Sequence, residues 1–474
     1  MPPSRFVFLA AAVAPLTIAC GQRVREGTVA ERYAELCANC HGRNLEGGMA
    51  QSLLDDVWLV GGDNESLAKS IRDGFPEKGM PAWGATIPEK EIRAMVIYLR
   101  EKRELHARKE TEFNKPKESM TVQSQLHGYR LDTWVGNLDE PYSLAFLPGD
   151  RAIVTEKKGR VYMIENGRRA RQPLSGIPKV DTSSNQAGLY DVVAHPDYAN
   201  NGWLYFAYAE PRETADGKDV SLTKVIRGKA RGGALIDQQV IYEADLAHYV
   251  KKGGPHFGGR IAFDREGFLY FTLGERGGKM VAQDLTLPIG KIHRLHDDGR
   301  IPGDNPFVKK PGAIPSIWSY GHRNPQGLAF DPRNGDLYDL EHGPRGGDEL
   351  NLVEKGNNYG WPVITYGMEY SGTAITDITH KEGMEQPVVY WTPSLAVCGM
   401  NFYTGDLFPK WKNHLFITSL AAEELRRLEI RDRKVIEQEV LFKDIGRIRH
   451  VITGPDDALY VLLPERIARI TPAR

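Results

Sequence analysis

The chain has 474 residues, with 61 Lys+Arg against 62 Asp+Glu. A balance this close to neutral leaves no electrostatic footprint for nucleic acid. The length exceeds one ordinary core, so two or more domains are expected, or one large barrel or propeller. Its 49 glycines and 29 prolines are dispersed, which suits many tight turns rather than disorder.

Residues 1–20 read as an export signal. "MPPSR" carries one Arg, "FVFLAAAVAPLTIA" is apolar, and Cys20-Gly21 follows. The apolar run is short for a transmembrane span. Leu16–Cys20 has the outline of a bacterial lipobox, with Thr17 where Leu is usual. Lipidation at Cys20 and ordinary cleavage nearby both stand open. Either route places the mature protein in the periplasm or otherwise outside the cytoplasm, touching a membrane only through that anchor. The remaining cysteines, Cys37, Cys40 and Cys398, give no disulfide framework. Cys398 reads as a small buried apolar side chain.

"LCANCHGRNLEGGMA" (36–50) holds Cys37, Cys40 and His41. A redox dithiol, a zinc site and a haem anchor share this pattern. A thioredoxin-like motif wants a preceding strand, yet Val29, Tyr33 and Leu36 have helical spacing. Zinc wants a second ligand pair, and no second Cys pair exists. A haem wants a sixth ligand later in the domain. "KGMPAWGATI" supplies Met80 in a Gly-Met-Pro loop. Pro88 then opens a helix with an apolar stripe of Ile92, Met95, Val96 and Leu99. On these features residues 25–105 resemble a small class I cytochrome c. The resemblance implies haem c joined to Cys37 and Cys40, iron ligated by His41 and Met80, and one-electron transfer. Residues 106–127 form a charged linker, expected to be solvated, helical at first and then loose. Such a linker would let the cytochrome swing.

From about Gly128 the pattern changes to short strands between turns. One phrase recurs: apolar-x-apolar, a Pro/Gly/Asp turn, then an apolar-aromatic run. Its copies are "YSLAFLPGDRAIVTE", "LYDVVAHPDYANNGWLYFAY", "GRIAFDREGFLYFTLGE", "QGLAFDPRNGDLYDLEHG", "GMNFYTGDLFPKWKNHLFITSL" and "RHVITGPDDALYVLLPE". Six units that cannot bury their faces alone predict an all-β six-bladed propeller over 128–474. The fold class is therefore multidomain, a small all-α domain followed by that propeller.

Several loops beside the phrase carry more polar groups than a turn needs. They present His256; His322, Arg323, Asn324 and Gln326; His342, Arg345, Asp348, Glu349, Tyr359 and Trp361; and Arg447 with Arg449, expected on one strand face. Arginines suit an anionic planar ligand. Carbonyl and carboxylate oxygens suit calcium, and a His can take a hydroxyl proton near neutral pH. His322 and Trp361 read as structural.

"HFGGRIAFDREGFLYFTLGERG", "IPGDNPF", "IWSYGHRNPQGLAFDP", "EHGPRGGDELNLVEKGNNYGWP" and "RIRHVITGPDDALYVL" resemble the soluble pyrroloquinoline-quinone (PQQ) sugar dehydrogenases, aldose branch. The resemblance implies His256 as base for the anomeric hydroxyl, Glu275 as its orienting carboxylate, and Arg323 as a catalytic contact to the quinone. It implies PQQ contacts from Gln186, Arg323, Asn324, Arg447 and Arg449. Gly343 and Pro344 would give carbonyls to the PQQ calcium, and Glu349 and Tyr359 would hold a second calcium. The function implied is oxidation of an aldose sugar at C1 to a lactone. Electrons would pass from PQQ to the fused haem and on to an external cytochrome, quinone or oxidase. There is one departure: Ala421 stands where the family has a Lys touching PQQ, unless Arg426 or another basic residue reaches in. His342 replaces the Gln of glucose-specialised relatives. A calcium-dependent lactonase-type propeller and a non-catalytic binding propeller are the rival readings.

Overall fold

The computed structural model describes residues 28–473 except 56. Helix α1 (Val29–Leu36) opens with a capping box: Glu31 N–H donates to Thr28 Oγ1 at 3.3 Å and Thr28 N–H to Glu31 Oε2 at 2.7 Å. Helix α2 (Ala38–His41) carries the haem-type motif, and α3 (Asn64–Asp73) starts on the Asp63 cap. Helix α4 (Glu89–Glu110) buries the expected stripe of Ile92, Met95, Val96 and Leu99 against Tyr33, Leu67 and Ile71. Each fully buried side chain of this kind contributes about 1.5–3 kcal/mol. Among the described residues no helix is long and apolar enough to cross a membrane.

Six antiparallel sheets follow. Blade one holds Pro141–Leu147, Arg151–Glu156, Arg160–Glu165 and Arg168–Arg169. Blade two holds Leu189–Ala194, Leu204–Glu213, Asp219–Arg231 and Ala234–Tyr242; blade three Ile261–Phe263, Leu269–Leu273, Lys291–Leu295 and Ile317–Tyr320. Blade four holds Pro325–Phe330, Leu337–Glu341, Asp348–Val353 and Val389–Trp391; blade five Val397–Phe402, Leu415–Ser419, Glu424–Arg431 and Lys434–Lys443. Blade six joins both ends of the domain. His450–Thr453, Leu459–Leu463 and Arg466–Pro472 pair onward to Gly128–Val135 and Thr121–Gln123. The ring is thus closed by a strand from its own beginning.

Each recurring phrase is the inner hairpin of one blade. Inner strands are covered by neighbouring blades on both faces, so Leu269–Leu273, Leu415–Ser419 and Leu459–Leu463 are buried at every position. That is why they read as continuous apolar-aromatic runs. The outer strand Lys434–Lys443 has little such cover: only Leu441 and Phe442 are buried, and polar residues interrupt its apolar ones.

The stretch expected as a linker is helical at first and largely exposed, as expected, but its second part is not loose. Helix α4 runs through Glu110, and Thr121–Gln123 is an edge strand of blade six. Between them Asn114 accepts from Lys443 N–H at 3.1 Å and donates to Leu441 O at 3.2 Å. Its charges also find partners: Arg108 reaches the buried Glu424 at 3.1 Å and Lys115 reaches Asp444 at 2.9 Å. Most of 106–127 is exposed, as its charge density implied, while these two pairs and the edge strand fasten it to the propeller.

Candidate active site

The site follows from strand direction. Gln186, His256, Arg323 and Arg449 each lie shortly before an inner strand of blades two, three, four and six. Glu275 and Gly343 lie just after the antiparallel second strands of blades three and four. Starts of first strands and ends of second strands share one end of a propeller, so these loops converge there. Arg447 and Arg449 occupy the segment entering blade six rather than the strand itself. Ile448 between them is fully buried, and Arg449 is half-buried with its guanidinium 4.9 Å from the Tyr142 ring centroid.

His256 has φ +56°, a left-handed value that a non-glycine residue adopts when its surroundings impose it. Its N–H donates to Gln186 Oε1 at 2.8 Å. Its Nδ1 lies 2.5 Å from Glu275 Oε1. With Nδ1–H given to the carboxylate, Nε2 keeps its lone pair, and among the described residues it has no hydrogen-bond partner. Glu275 is fully buried. Its Oε2 accepts from Lys279 N–H at 2.6 Å and its own N–H donates to Arg323 O at 2.9 Å. The approach is close enough to require Gly274: a Cβ there would stand 2.3 Å from His256 O.

Burial lowers the His256 pKa below its ordinary value; the Glu275 contact opposes this, while the Arg323 charge adds to it. The ring is therefore neutral at neutral pH, as a base must be. Burial pushes the Glu275 carboxyl up, but the His256 hydrogen bond and charge outweigh it and hold the group below the usual range.

Arg323 is pinned from both ends. Its N–H donates to Glu341 Oε2 at 2.6 Å, and its Nη1 donates to His342 O at 3.0 Å and Gly343 O at 2.8 Å. The guanidinium lies 5.2 Å from the Trp361 ring centroid, a cation–π contact. Its buried Nε has no partner among the described residues and is free for an acceptor on a ligand. Asn324 Oδ1 accepts from Gly258 N–H at 3.1 Å, tying blade four to the His256 loop. His342 Nε2–H donates to Val397 O at 2.5 Å, and burial with the Arg323 charge lowers its pKa to about 3.

The turn carrying Gly343 and Pro344 is fixed by Asp348, which accepts from Gly343 N–H at 2.9 Å, Ser394 Oγ at 2.7 Å and Val397 N–H at 3.2 Å. Gly343 O already attracts the Arg323 cation, so this carbonyl suits a positive partner. Cys398 is fully buried as expected. Its neighbours, however, are cations: Arg449 Nη1 lies 3.6 Å and Arg260 Nη2 3.7 Å from its sulfur. Arg260 also donates to Gln326 O at 2.6 Å and Arg449 O at 3.1 Å, closing the channel beneath the site. Arg447 is exposed. Ala421 is exposed beside a groove of about 1310 Å³ that Lys109, Lys115 and Lys117 also line. Arg426 does not replace the missing lysine, because it is paired with Glu424 at 2.7 Å and Gln438 at 3.0 Å.

Glu349 and Tyr359 stand beside a buried acidic cluster. Asp339 and Glu341 alternate along one strand and face Asn351 and Glu349 across the ladder. His322 Nδ1 lies 3.2 Å from Glu341 Oε1 and 3.7 Å from Asp339 Oδ2, and its ring stacks on Tyr359 with centroids 4.6 Å apart. Asp339 is fully buried, and neither of its carboxylate oxygens has a hydrogen-bond partner among the described residues. Burial and the Glu341 charge push the Asp339 and Glu349 carboxyls well above the usual range. A hard cation fits such a group. The role of Glu341 and Asp339 escaped sequence reasoning, although "LYDLE" places the two acids on one strand face.

In the helical domain, Cys37 O accepts from both Cys40 N–H at 3.2 Å and His41 N–H at 2.9 Å, so all three side chains belong to one turn. His41 Nδ1 bonds Gln51 O at 3.0 Å, leaving Nε2 for a metal. Met80 is partly buried and bridges Phe75 through paired backbone bonds. Met49, Val57, Leu59 and Val60 are large apolar side chains exposed on the loop after the motif, which suits contact with an apolar macrocycle. These features fit a covalently held haem.

The fold and site define the class: a propeller oxidoreductase with a c-type cytochrome domain at its front. Residues 138–471 match the family described as Glucose / Sorbosone dehydrogenase, and residues 25–99 match Cytochrome C oxidase, cbb3-type, subunit III. The chain is 42% identical over 337 residues to aldose sugar dehydrogenase YliI of Escherichia coli (strain K12), covering 69% of this chain and 88% of that protein. The crystal structure of the soluble aldose sugar dehydrogenase from Escherichia coli in the apo-form superposes with a TM-score of 0.67 at 39% identity, covering 73% of this chain and 100% of that one. The PQQ-bound aldose sugar dehydrogenase from Streptomyces coelicolor does so at 0.57 and 27% identity, covering 72% and 98%. The chain belongs to the glucose/sorbosone dehydrogenase family, and is an aldose sugar dehydrogenase with a cytochrome c domain.

Proposed function

We propose that the protein oxidises aldoses at C1 to lactones using PQQ and calcium, with electrons leaving through its own haem to an external cytochrome, quinone or oxidase. The observation that carries this reading is the 2.5 Å contact between His256 Nδ1 and the buried Glu275 at the channel mouth. PQQ, when bound, supplies a two-electron acceptor for the C1 hydride. His256 Nε2 takes the C1 hydroxyl proton. Glu275 holds the ring and stabilises the imidazolium that results. Arg323 presents a fixed guanidinium where negative charge develops. Gln186, Asn324, Arg447 and Arg449 would complete the cofactor cradle.

Calcium enters this reading twice. Gly343 and Pro344 carbonyls would hold one ion beside the cofactor. Glu349 and Tyr359 would hold the second, where Asp339, whose buried oxygens have no hydrogen-bond partner among the described residues, supports a cation. The haem, when held by Cys37 and Cys40 with His41 and Met80 as ligands, supplies a one-electron outlet. One aldose oxidation releases two electrons and two protons, so the external acceptor must empty that outlet twice per turnover. The export signal expected at residues 1–20, which lies outside the described residues, supports a periplasmic or other extracytoplasmic location, with Cys20 as a candidate lipid anchor.

Reconstitution with PQQ and calcium, followed by a panel of aldoses, should reduce the haem, read at its visible absorption band. No reduction by any aldose sinks the coupled mechanism. Lactone hydrolysis without PQQ would point instead to the hydrolase reading, and PQQ binding without turnover to a binding propeller.

A further inference from the structure

Met368 belongs to the propeller by sequence and to the cytochrome by packing. It lies on the excursion 354–388 between the third and fourth strands of blade four. Fully buried, it sits in one apolar cluster with Val29, Tyr33, Ile92, Met95 and Val96 of the helical domain. Two backbone bonds of 3.0 Å tie Met368 to Arg345. Arg345 in turn grips Glu101 of α4, with Nε 3.0 Å from Oε1 and Nη2 2.5 Å from Oε2.

The contacts come from three helices. Val29 N–H, at the start of α1, donates to Gly372 O at 3.1 Å. Asn64, at the start of α3, donates to Tyr390 Oη at 2.8 Å. On α4, Arg93 donates to Thr365 O, and Arg108 reaches Glu424 at 3.1 Å. The same excursion touches the sugar site: Glu369, next to Met368, pairs with Lys279, whose N–H holds Glu275. Pro344, next to Arg345, belongs to the turn that would carry the cofactor's calcium.

An exposed ion pair alone is too weak to hold a domain. A side chain sunk in the other domain's core is different in kind, because withdrawing it exposes apolar surface on both partners. Attachment along α1, α3 and α4 also fixes orientation, which a single contact would not.

We propose that the 354–388 excursion, with Arg345, is a permanent seat for the cytochrome. It holds the haem-bearing helices at the mouth of the sugar site through turnover, in place of a swinging arm. The consequence for electron flow rests on the function proposed above; the docking itself does not.

The test uses the full-length holoprotein and two variants. In Met368→Asp a charge is forced into the cytochrome core. Glu101→Arg is a milder surface change that keeps the proposal testable if the first variant folds poorly. Solution scattering of the wild type should fit one compact particle, and Met368→Asp should give an extended distribution. In Glu101→Arg, whose altered side chain lies on α4 of the cytochrome, sugar oxidation assayed with a dye that draws electrons directly from the propeller should change by no more than about twofold; in Met368→Asp the dye-linked rate is the reference against which haem reduction is read. Haem reduction by sugar should fall about tenfold or more, as expected when reacting centres lose their fixed placement. In Glu101→Arg both effects should be smaller, and Arg345→Glu in the same chain should restore them. A wild type that scatters as an extended ensemble overturns the seat. So does haem reduction that survives both variants unchanged. Loss of dye-linked oxidation in the wild type would strike the sugar reading, while scattering still decides the docking.

Discussion

His256 and His322 of the propeller both contact carboxylates, and they are built for opposite ends. His256 gives one nitrogen to Glu275 and keeps the other without a hydrogen-bond partner among the described residues. His322 has both nitrogens engaged, Nε2 with Ser319 Oγ at 2.9 Å and Nδ1 with Glu341 at 3.2 Å, and is fully buried. The first can receive a proton from outside; the second can only hold its neighbours in place. A histidine–carboxylate pair therefore does not define a base. What defines one is the second nitrogen, aimed at a ligand and kept neutral by its surroundings.

The sharpest way to break this contrast is to remove the free nitrogen. His256→Ala should lower turnover by ~10²–10⁴, the usual worth of a positioned base. A fall of less than tenfold, measured by dye-linked oxidation, would end the assignment.

Glu275→Gln should cost about 10–100-fold, as for other groups that orient a functional imidazole. It should also move the pH profile. Neutral His256 is the active form, and its folded pKa lies below the ordinary value. Activity should thus hold near neutral pH and fall as pH drops through that folded value. Glu275 raises the His256 pKa, so its loss should shift the acid limb to lower pH. An acid limb that moves upward, or does not move, would show that the contact is merely structural.

The buried cluster answers to a different measurement. If a cation satisfies Asp339, Asp339→Asn should lower the calcium content of the purified protein and shrink the rise in Tm on adding calcium. A site filled at 100 times its Kd contributes about 2.7 kcal/mol, so the loss is measurable. If Asp339 is instead held neutral by a proton, the isosteric amide should change neither quantity.

How much of this was legible in the chain depended on distance along it. Cys37, Cys40 and His41 sit within one helical turn, so the motif was legible from local spacing, and Met80 with the closing helix turned it into a haem reading. The six inner hairpins were legible because double-sided burial writes itself as unbroken apolar runs. His256, Arg323 and Arg449 stood out as polar groups in loops beside the repeat phrase, but their roles came only from the resemblance, since their meeting depends on where each inner strand begins. The cluster of Asp339 and Glu341 was hidden by an ordinary-looking strand, as its meaning lies in His322 and Glu349 across the blade. The closure of the ring by Gly128–Val135 left no local mark either. Nor did the seating of 106–127 on the propeller, because charge alone does not say whether its partner is water or protein.

The smallest effect is expected at Ala421, which touches neither histidine pair. Its N–H donates to Leu395 O at 3.1 Å, and its methyl faces the groove shared with Lys109, Lys115 and Lys117. The position lies at an inner-strand end of blade five, at the same mouth as Arg323 and Arg449, so a cation there would act on a bound anion and not on the proton taken by His256. Ala421→Lys should therefore tighten PQQ binding severalfold, on the order of 1 kcal/mol for one added charge-assisted contact, and leave the rate at saturating cofactor unchanged. Calorimetric titration with PQQ separates the outcomes. Unchanged affinity would mean that the linker lysines already supply the positive charge, and charge-removing substitutions at Lys109, Lys115 and Lys117 should then weaken binding where Ala421→Lys did not strengthen it.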